Sequence, residues 1–599
     1  MTDLVILRHH CPVVEGTHST YTVPGLRYVY SFFQIPYAAD TSGANRFRPP
    51  QPRAPWTDTL DVQAKDRMTT YQCIQENATG PGTLVGTEDC LRLNVYSPKI
   101  PTFLNPNPNL PVLVWIYGGA FISGNTYIFN HWKFLDHNVV LVVPNYRVGA
   151  LGFLSTQTDD APGNAGLYDQ YMALKWVKDN IKNFGGNPDQ ITLFGESAGA
   201  VSVGHHYISP LSRGLFHRAI LQSGSPLTAW SIDERPLEYH NRLAPATNCP
   251  WNPSDPSPYL SCLRNLDPLT LIMAQKNVIT QYHLEGQHGF NGVSPVVQVA
   301  GGGYDLLIRE DPYTALTAGR HSGVPVILGC NKHEGTFVLG LLYNEYLVPK
   351  NLVDDPNFLS NSLVTSFTDA VEIDTKDASA LESYYFSGLS RNTFTDLVPG
   401  FVDFLGATFI KQGSYEMAMI LADQGVDTWF YSFEYYGAHT MFDILFPEPP
   451  NSLPFGGGVT HADDLIYQWG LWTLTGTDNT IKKYIVRSWV NFAYDGVPTT
   501  TWPKLKVDTQ YYLAINQDQG STNQEQIYQD YSQTYTTAVD EYFSGVAIPG
   551  TTSRRLQSLE TFTRLNIMET AIQEEDRLSW GENDEEELAN RMAYAAYYI

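Results

Sequence analysis

With 599 residues, 43% of them hydrophobic and 13% aromatic, the chain is long enough to bury a large core; α/β enzymes often keep such a length in one domain. Its 62 acidic against 37 basic side chains give a formal charge of −25, a field that repels nucleic acid and anionic membrane surfaces and argues against both as partners. No apolar run approaches the roughly 18 residues that a bilayer crossing needs, so no transmembrane segment is expected.

Met1 to His10 has no basic stretch and only a short apolar one, Leu4 to Leu7, so it does not read as a secretion leader. Val23 to Tyr37 reads as short strands and turns, and a Pro-rich loop follows at Arg46 to Arg53. Cys73 and Cys90 lie 17 apart, Cys249 and Cys262 lie 13 apart, and each pair brackets a loop rich in Pro, Gly and Asn. That suits two local disulfides, whereas the C-x-x-C spacing of a zinc site is absent. Cys11 and Cys330 are left over, and Cys330 ends an apolar strand as a buried thiol would. Asn77-Ala-Thr79 is a glycosylation sequon inside the first disulfide loop. Disulfides and a sequon together predict a secreted protein whose leader has been removed.

Leu110 to Tyr117 is a continuous apolar run ending in glycines, and Val139 to Asn145 is a second, both readable as buried central strands. Ala165 to Asn183 carries apolar residues at helical spacing. Then Gln190 to Phe194 forms a short β-branched strand, Gly195-Glu-Ser-Ala-Gly199 a turn, and Ala198 to Tyr207 a small-residue helix. Strand, helix, strand and helix in this order predict a large, mostly parallel sheet flanked by helices. Ala219 to Ser223, Val324 to Gly329, Trp429 to Phe433 and Tyr511 to Ile515 read as further strands. Long insertions separate them, among them the loops expected at Tyr282 to Pro295 and Val398 to Phe409. Near Gly545 the composition shifts. The chain therefore divides into a main domain, residues 1–545, and an acidic tail, 546–599, in which Leu556, Leu559, Phe562, Leu565 and Met568 recur every three residues. Such a tail suits an amphipathic helix that packs on the main domain, on a second copy or on another protein, the other expectation being a disordered segment with partial helix.

Chemistry centres on Ser197. A serine on a sharp strand-to-helix turn projects its hydroxyl above the sheet, and the helix N-terminus beneath it favours developing negative charge. A nucleophilic serine needs a base, a carboxylate to orient the base, and donors for an oxyanion. The donors are offered by Tyr117-Gly-Gly-Ala-Phe121, at the end of a strand, and by Ala198. Glu334, in Gly329-Cys-Asn-Lys-His-Glu-Gly335, follows a strand at once and is the candidate acid. Among 15 histidines, His461 stands in the Gly-rich loop Phe455 to Leu465 and is the candidate base; His439 is its chief rival.

These motifs, with Ile35-Pro-Tyr-Ala38, Glu88-Asp-Cys-Leu91, Asn145-Tyr-Arg-Val-Gly149, Gly163-Asn-Ala-Gly-Leu167 and Ser209-Pro-Leu-Ser212, make residues 10 to 545 resemble the cholinesterase and carboxylesterase (type-B carboxylesterase/lipase) family. The resemblance implies an α/β-hydrolase fold, a triad of Ser197, Glu334 and His461, and oxyanion donors at Gly119, Ala120 and Ala198. It also implies disulfides Cys73 to Cys90 and Cys249 to Cys262, framework ion pairs Arg46 with Glu88 and Arg147 with Asp169, a small-molecule ester as substrate, and neither metal nor organic cofactor. Two departures qualify the likeness. True cholinesterases carry in the first disulfide loop a Trp that binds choline, and Ile74 to Asp89 holds none; the turn reads Gly-Gly-Ala where many members have Gly-Gly-Gly. The family also contains adhesion and matrix proteins that keep the fold without a full triad, which is the alternative reading.

Overall fold

The computed structural model describes residues 14–548 apart from 16, 22–26, 56–59, 62–70, 78–81, 130–131, 286–291, 300–302, 362, 366–377, 447–452, 471, 517–525 and 547. One sheet of eleven strands dominates it. In chain order these are β1 (Thr17–Tyr21), β2 (Arg27–Pro36), β3 (Arg92–Ser97), β4 (Leu110–Ile116), β5 (Val140–Pro144), β6 (Gly186–Glu196), β7 (Arg218–Gln222), β8 (Val326–Asn331), β9 (Thr428–Phe433), β10 (Tyr511–Ile515) and β11 (Gln526–Gln529). Their spatial order is β11-β10-β9-β8-β7-β6-β4-β5-β3-β2-β1. From β10 through to β5 every neighbour is parallel, while both margins close with antiparallel pairs. Helices α1 (Ala165–Asn180), α2 (Ala198–Ile208), α3 (Pro268–Leu284), α4 (Gly335–Leu342), α5 (Phe394–Gly406), α6 (Gln412–Asp423), α7 (Gly476–Asp495) and α8 (Thr537–Phe543) accompany the sheet. Among the described residues no helix is long and apolar enough to cross a membrane.

Every residue of β4 is buried. A strand covered by helices on both faces has no wet side and so no need of alternation, which is why Leu110 to Ile116 reads as an unbroken apolar run. Pro111, which donates nothing to a ladder, falls where the register of β4 with β6 is interrupted, between the pairs Leu110–Gly186 and Val112–Ile191. Packed on the strands is an aromatic cluster: Trp115 stands 4.7 Å from Phe194 and 4.9 Å from Trp469, centroid to centroid. Offset aromatic contacts of this kind add to burial.

Framework links hold the loops. Disulfides join Cys73 to Cys90 and Cys249 to Cys262. The Arg46 and Glu88 side chains pair at 2.6 Å, and those of Arg147 and Asp169 at 2.7 Å, the latter with both partners buried. Cys330 is a buried free thiol. Cys11, Thr79 of the sequon at Asn77, and all but Val546 and Ile548 of the tail 546–599 lie outside the described residues.

Three local expectations are corrected. Val23 to Tyr37 holds one long strand, β2, rather than several short ones; its register with β3 shifts between Phe32 and Ile35, where Gln34 adopts φ +58°. The backbone N–H of Gln34 donates to Asn94 Oδ1 at 2.9 Å, so the irregular residue is satisfied without ending the strand. Val398 to Phe409 is helical: a Thr393–Asp396 capping box opens α5, and a wider turn continues it over Ala407–Lys411. Pro399-Gly400 looks like a breaker, yet Phe394, Leu397, Val398, Phe401, Phe404 and Leu405 are all buried, and that burial outweighs one lost hydrogen bond. Tyr282 and His283 belong to α3 rather than to a loop.

Candidate active site

Four parallel strands end side by side and deliver the candidate residues to one edge of the sheet. Gly195 of β6 pairs with Ile116 of β4 on one side, and Glu196 with Gln222 of β7 on the other. Ser197 follows at once, its N–H donating to Gln222 O at 2.9 Å. Its backbone sits at φ 55°, ψ −128°, a left-handed conformation that costs a non-glycine residue about 1–3 kcal/mol and persists only where the surroundings impose it. Here they do. A Cβ on Gly199 would lie 2.1 Å from Ile116 O, and one on Gly118 would lie 2.9 Å from Ser197 Cβ, so side chains at either position would push the bend apart.

The turn after β4 is held by two tyrosines. Tyr117 and Tyr146 stack with centroids 4.4 Å apart, and Tyr146 OH donates to Tyr117 O at 2.7 Å. Gly119, Ala120 and Phe121 all have positive φ, and Ala120 faces the same cavity as Ser197. Ala198 opens α2, so its N–H belongs to the first helical turn, where no intrahelical acceptor exists.

Beyond β8 the chain turns at Glu334, which is wholly buried. One carboxylate oxygen accepts from Asn331 N–H at 2.6 Å and from Ser223 Oγ–H at 2.5 Å; the other meets His461 Nδ1 at 2.6 Å. Glu334 is thereby oriented by three groups. The loop carrying His461 is pinned in turn by Asp463, which accepts from Thr460 N–H at 3.0 Å and Met441 N–H at 2.6 Å, and by Asn331 Nδ2 donating to Thr460 O at 2.7 Å. The imidazole lies 5.1 Å from the Phe337 ring and nearly parallel to it.

The structure thus brings Glu334 and His461 into direct contact and sets Ser197, Ala120 and His461 on one cavity. His439 is not part of it; that ring stacks on Trp472 with centroids 5.1 Å apart. Sequence reasoning missed Glu196, whose Oε1 lies 3.1 Å from His461 Nε2. A carboxylate directly before the serine, at the buried end of the strand, was the available signal. Burial raises the Glu196 carboxyl against the pull of His461, and Asp464 and Glu334 add to the rise. Burial alone lowers a histidine, but the carboxylates of Glu196 and Glu334 outweigh it and raise His461. Protonation of Glu196 would remove the largest of those upward influences, so the two groups titrate as a coupled pair.

The cavity measures about 590 Å³ including its open mouth, and apart from Ser197 and His461 its walls are largely apolar: Trp230, Phe337, Leu341, Phe409 and Ile410 line it, with His283. Trp230 Nε1 donates to Phe409 O at 2.9 Å, fixing one wall, and His283 Nδ1 is paired with Glu345.

A mostly parallel sheet with a serine on its strand-to-helix elbow, an acid after a later strand and a histidine on a later loop is the α/β-hydrolase fold. The sequence matches the Carboxylesterase family over residues 5–534. It is 32% identical to Esterase FE4 of Myzus persicae over 80% of this chain and 82% of that protein. It is 34% identical to Juvenile hormone esterase of Tribolium castaneum over 78% and 80%, and 32% identical to Acetylcholinesterase of Danio rerio over 84% and 83%. The chain belongs to the carboxylesterase family.

Proposed function

We propose that the protein is a serine hydrolase that cleaves carboxylic esters through an acyl-enzyme. The observation that carries this reading is the convergence, at one sheet edge and on one cavity, of a strained serine, a histidine and the buried carboxylate held against that histidine. His461 Nε2 takes the Ser197 Oγ proton as the oxygen attacks the ester carbonyl. The oxyanion rests on the N–H groups of Gly119, Ala120 and Ala198. Glu334 keeps the Nδ1 proton in place and stabilises the imidazolium. Collapse expels the alcohol, which takes the proton from Nε2; water then repeats the sequence on the acyl group, releasing the acid and freeing Ser197. All of this is done by the chain's own residues.

An apolar cavity favours esters whose acyl or alcohol group is itself apolar. Choline esters are poor candidates, because the first disulfide loop offers no Trp to the cation. Two disulfides suit an oxidising compartment, and secretion is the corresponding localisation.

The test is labelling of the full chain with a fluorophosphonate, read by intact mass and peptide mapping. A single adduct on Ser197, abolished in Ser197→Ala together with at least about four orders of magnitude of ester turnover, is the expected result. Folded protein that takes no adduct would overturn the reading and favour the non-catalytic adhesion alternative.

A further inference from the structure

Resting on that reading, we propose that His333 and Glu541 form a positioning pair through which the C-terminal helix α8 sets the distance between Glu334 and His461. His333 immediately precedes Glu334 and is buried. Its backbone N–H donates to Val459 O at 2.8 Å, and its Nδ1 accepts from Val459 N–H at 3.0 Å. Val459 lies two residues before His461. One residue therefore grips the histidine loop twice, by main chain and by ring, while sitting next to the acid.

Because Nδ1 accepts, the ring proton is on Nε2, and Nε2 faces Glu541 Oε2 at 3.1 Å. The other oxygen of Glu541 takes Lys332 Nζ at 2.5 Å. Both residues preceding Glu334 are thus held by one carboxylate from α8. Partial burial pushes that carboxyl up, but His333 and Lys332 hold it down at about 2, so it is ionised at any working pH. The helix carrying it is fixed from behind: Asp403 accepts from Ala538 N–H at 3.0 Å and Val539 N–H at 2.8 Å, and Lys411 Nζ donates to Thr534 O at 2.9 Å. At Gly458, with φ +56°, a Cβ would stand 2.4 Å from His333 Nδ1 and 3.0 Å from Ile548 Cγ2. The histidine loop, His333 and the chain beyond α8 therefore pack without room for one more carbon.

The family match ends at residue 534, before α8 begins. The helix lies outside that matched core, yet its Glu541 carboxylate reaches the acid loop. The Glu334–His461 contact depends on where two loops stand relative to each other; Asn331 and Thr336 also bridge them, and His333 is the bridging side chain that α8 reaches. Errors of about 1 Å in such placements cost on the order of a hundredfold in rate.

The experiment uses the full chain with 4-nitrophenyl butyrate and the fluorophosphonate, and follows kcat, KM, labelling rate and thermal midpoint. Glu541→Ala, which leaves His333 Nε2–H without its acceptor, is expected to lower kcat and labelling about tenfold with KM within about twofold. Glu541→Gln, whose amide oxygen still accepts from Nε2–H, is expected to restore most of the loss. A Glu541→Ala protein with kcat within about twofold of the parent, or equal losses in both variants that follow the folded fraction, would overturn the proposal. Should Glu541→Ala not fold, His333→Asn and His333→Gln carry the same test. The Asn oxygen can keep the Val459 bond and the Gln amide can keep the reach to Glu541, so each is expected to lose kcat; two fully active variants would overturn the pair. A parent that neither labels nor hydrolyses defeats the esterase reading itself, whereas a reactive parent with unaffected variants defeats only the positioning pair.

Discussion

His461 Nε2 and Glu196 Oε1 stand 3.1 Å apart with both side chains buried. The nitrogen proposed to take the serine proton therefore already faces a carboxyl group, and the charge of each acts on the other in a place that water does not screen.

This contact makes the pH dependence of acylation a property of the pair. Burial pulls His461 down, and Glu196, followed by Glu334, more than reverses the pull, so the folded histidine titrates above its ordinary range. On the proposed mechanism a protonated imidazole cannot act as the base, so activity is expected to rise with pH. Glu196→Gln removes the largest upward influence. Its pH profile of kcat/KM is expected to move to lower pH, with the alcohol and acyl preference unchanged. The check is a profile of parent and variant on one neutral ester; coincident rising limbs would show that Glu196 does not tune the base.

The framework yields a second prediction. Arg147 donates to Asp169 through its backbone N–H at 3.0 Å, through Nε at 2.8 Å and through Nη2 at 2.7 Å, and the carboxylate is wholly buried. Removing one partner strands the other charge, which typically costs about 3–5 kcal/mol. Asp169→Ala is expected to lower the urea midpoint accordingly with little change in slope. Asp169→Asn, which leaves a neutral acceptor, is expected to lose less. Equal urea curves for parent and Asp169→Ala would show that the pair contributes nothing net.

How far the sequence could be read follows from how local each cause is. The apolar runs of β4 and β5 announce central strands because both their faces are covered, and the elbow at Ser197 announces itself because Gly195 and Gly199 are needed within five residues. The loops with Glu334 and His461 were legible as residues placed just after a strand or among glycines. What was not legible depends on distance along the chain. Nothing near His333 points to Glu541, 208 residues away, and nothing near Ser223 points to Glu334. The helix over Val398 to Phe409 was expected as a loop because the burial that holds it, around Pro399, comes from contacts distant along the chain. The apolar nature of the cavity likewise arises only when Trp230, Phe337 and Phe409, from three separate segments, meet.

Acid sensitivity is the last expectation, and its sign can be worked through. His205 and His206 lie on α2 behind Ser197, and His240 lies in a separate helix, Tyr239 preceding it; all three are buried. Burial lowers them to about 4, 3 and 4 respectively. His206 is held at both nitrogens, by Ser212 Oγ at 2.8 Å and Gln170 Oε1 at 3.0 Å, and its full burial, with His205 beside it, disfavours an added charge. In the unfolded chain each would titrate near 6.5. Between pH 6.5 and about 4 the unfolded state therefore binds protons that the folded state refuses, and stability falls as pH falls, by about 1.4 kcal/mol per pH unit for each such histidine. Buried carboxyls act in the opposite sense: Asp403, raised to about 7 by burial despite Lys411, favours the folded state when protonated and loses that contribution as pH rises from about 4 to 7. The two trends oppose each other in the parent, so the informative quantity is a difference. His206→Gln removes one titrating group from α2 and leaves Asp403 untouched. Its denaturant-derived stability is expected to start lower at pH 7 and to fall less steeply towards pH 4, the gap to the parent narrowing by roughly one proton's slope. Parallel curves for parent and variant over that range would mean that His206 takes up its proton in the folded state as readily as in the unfolded one.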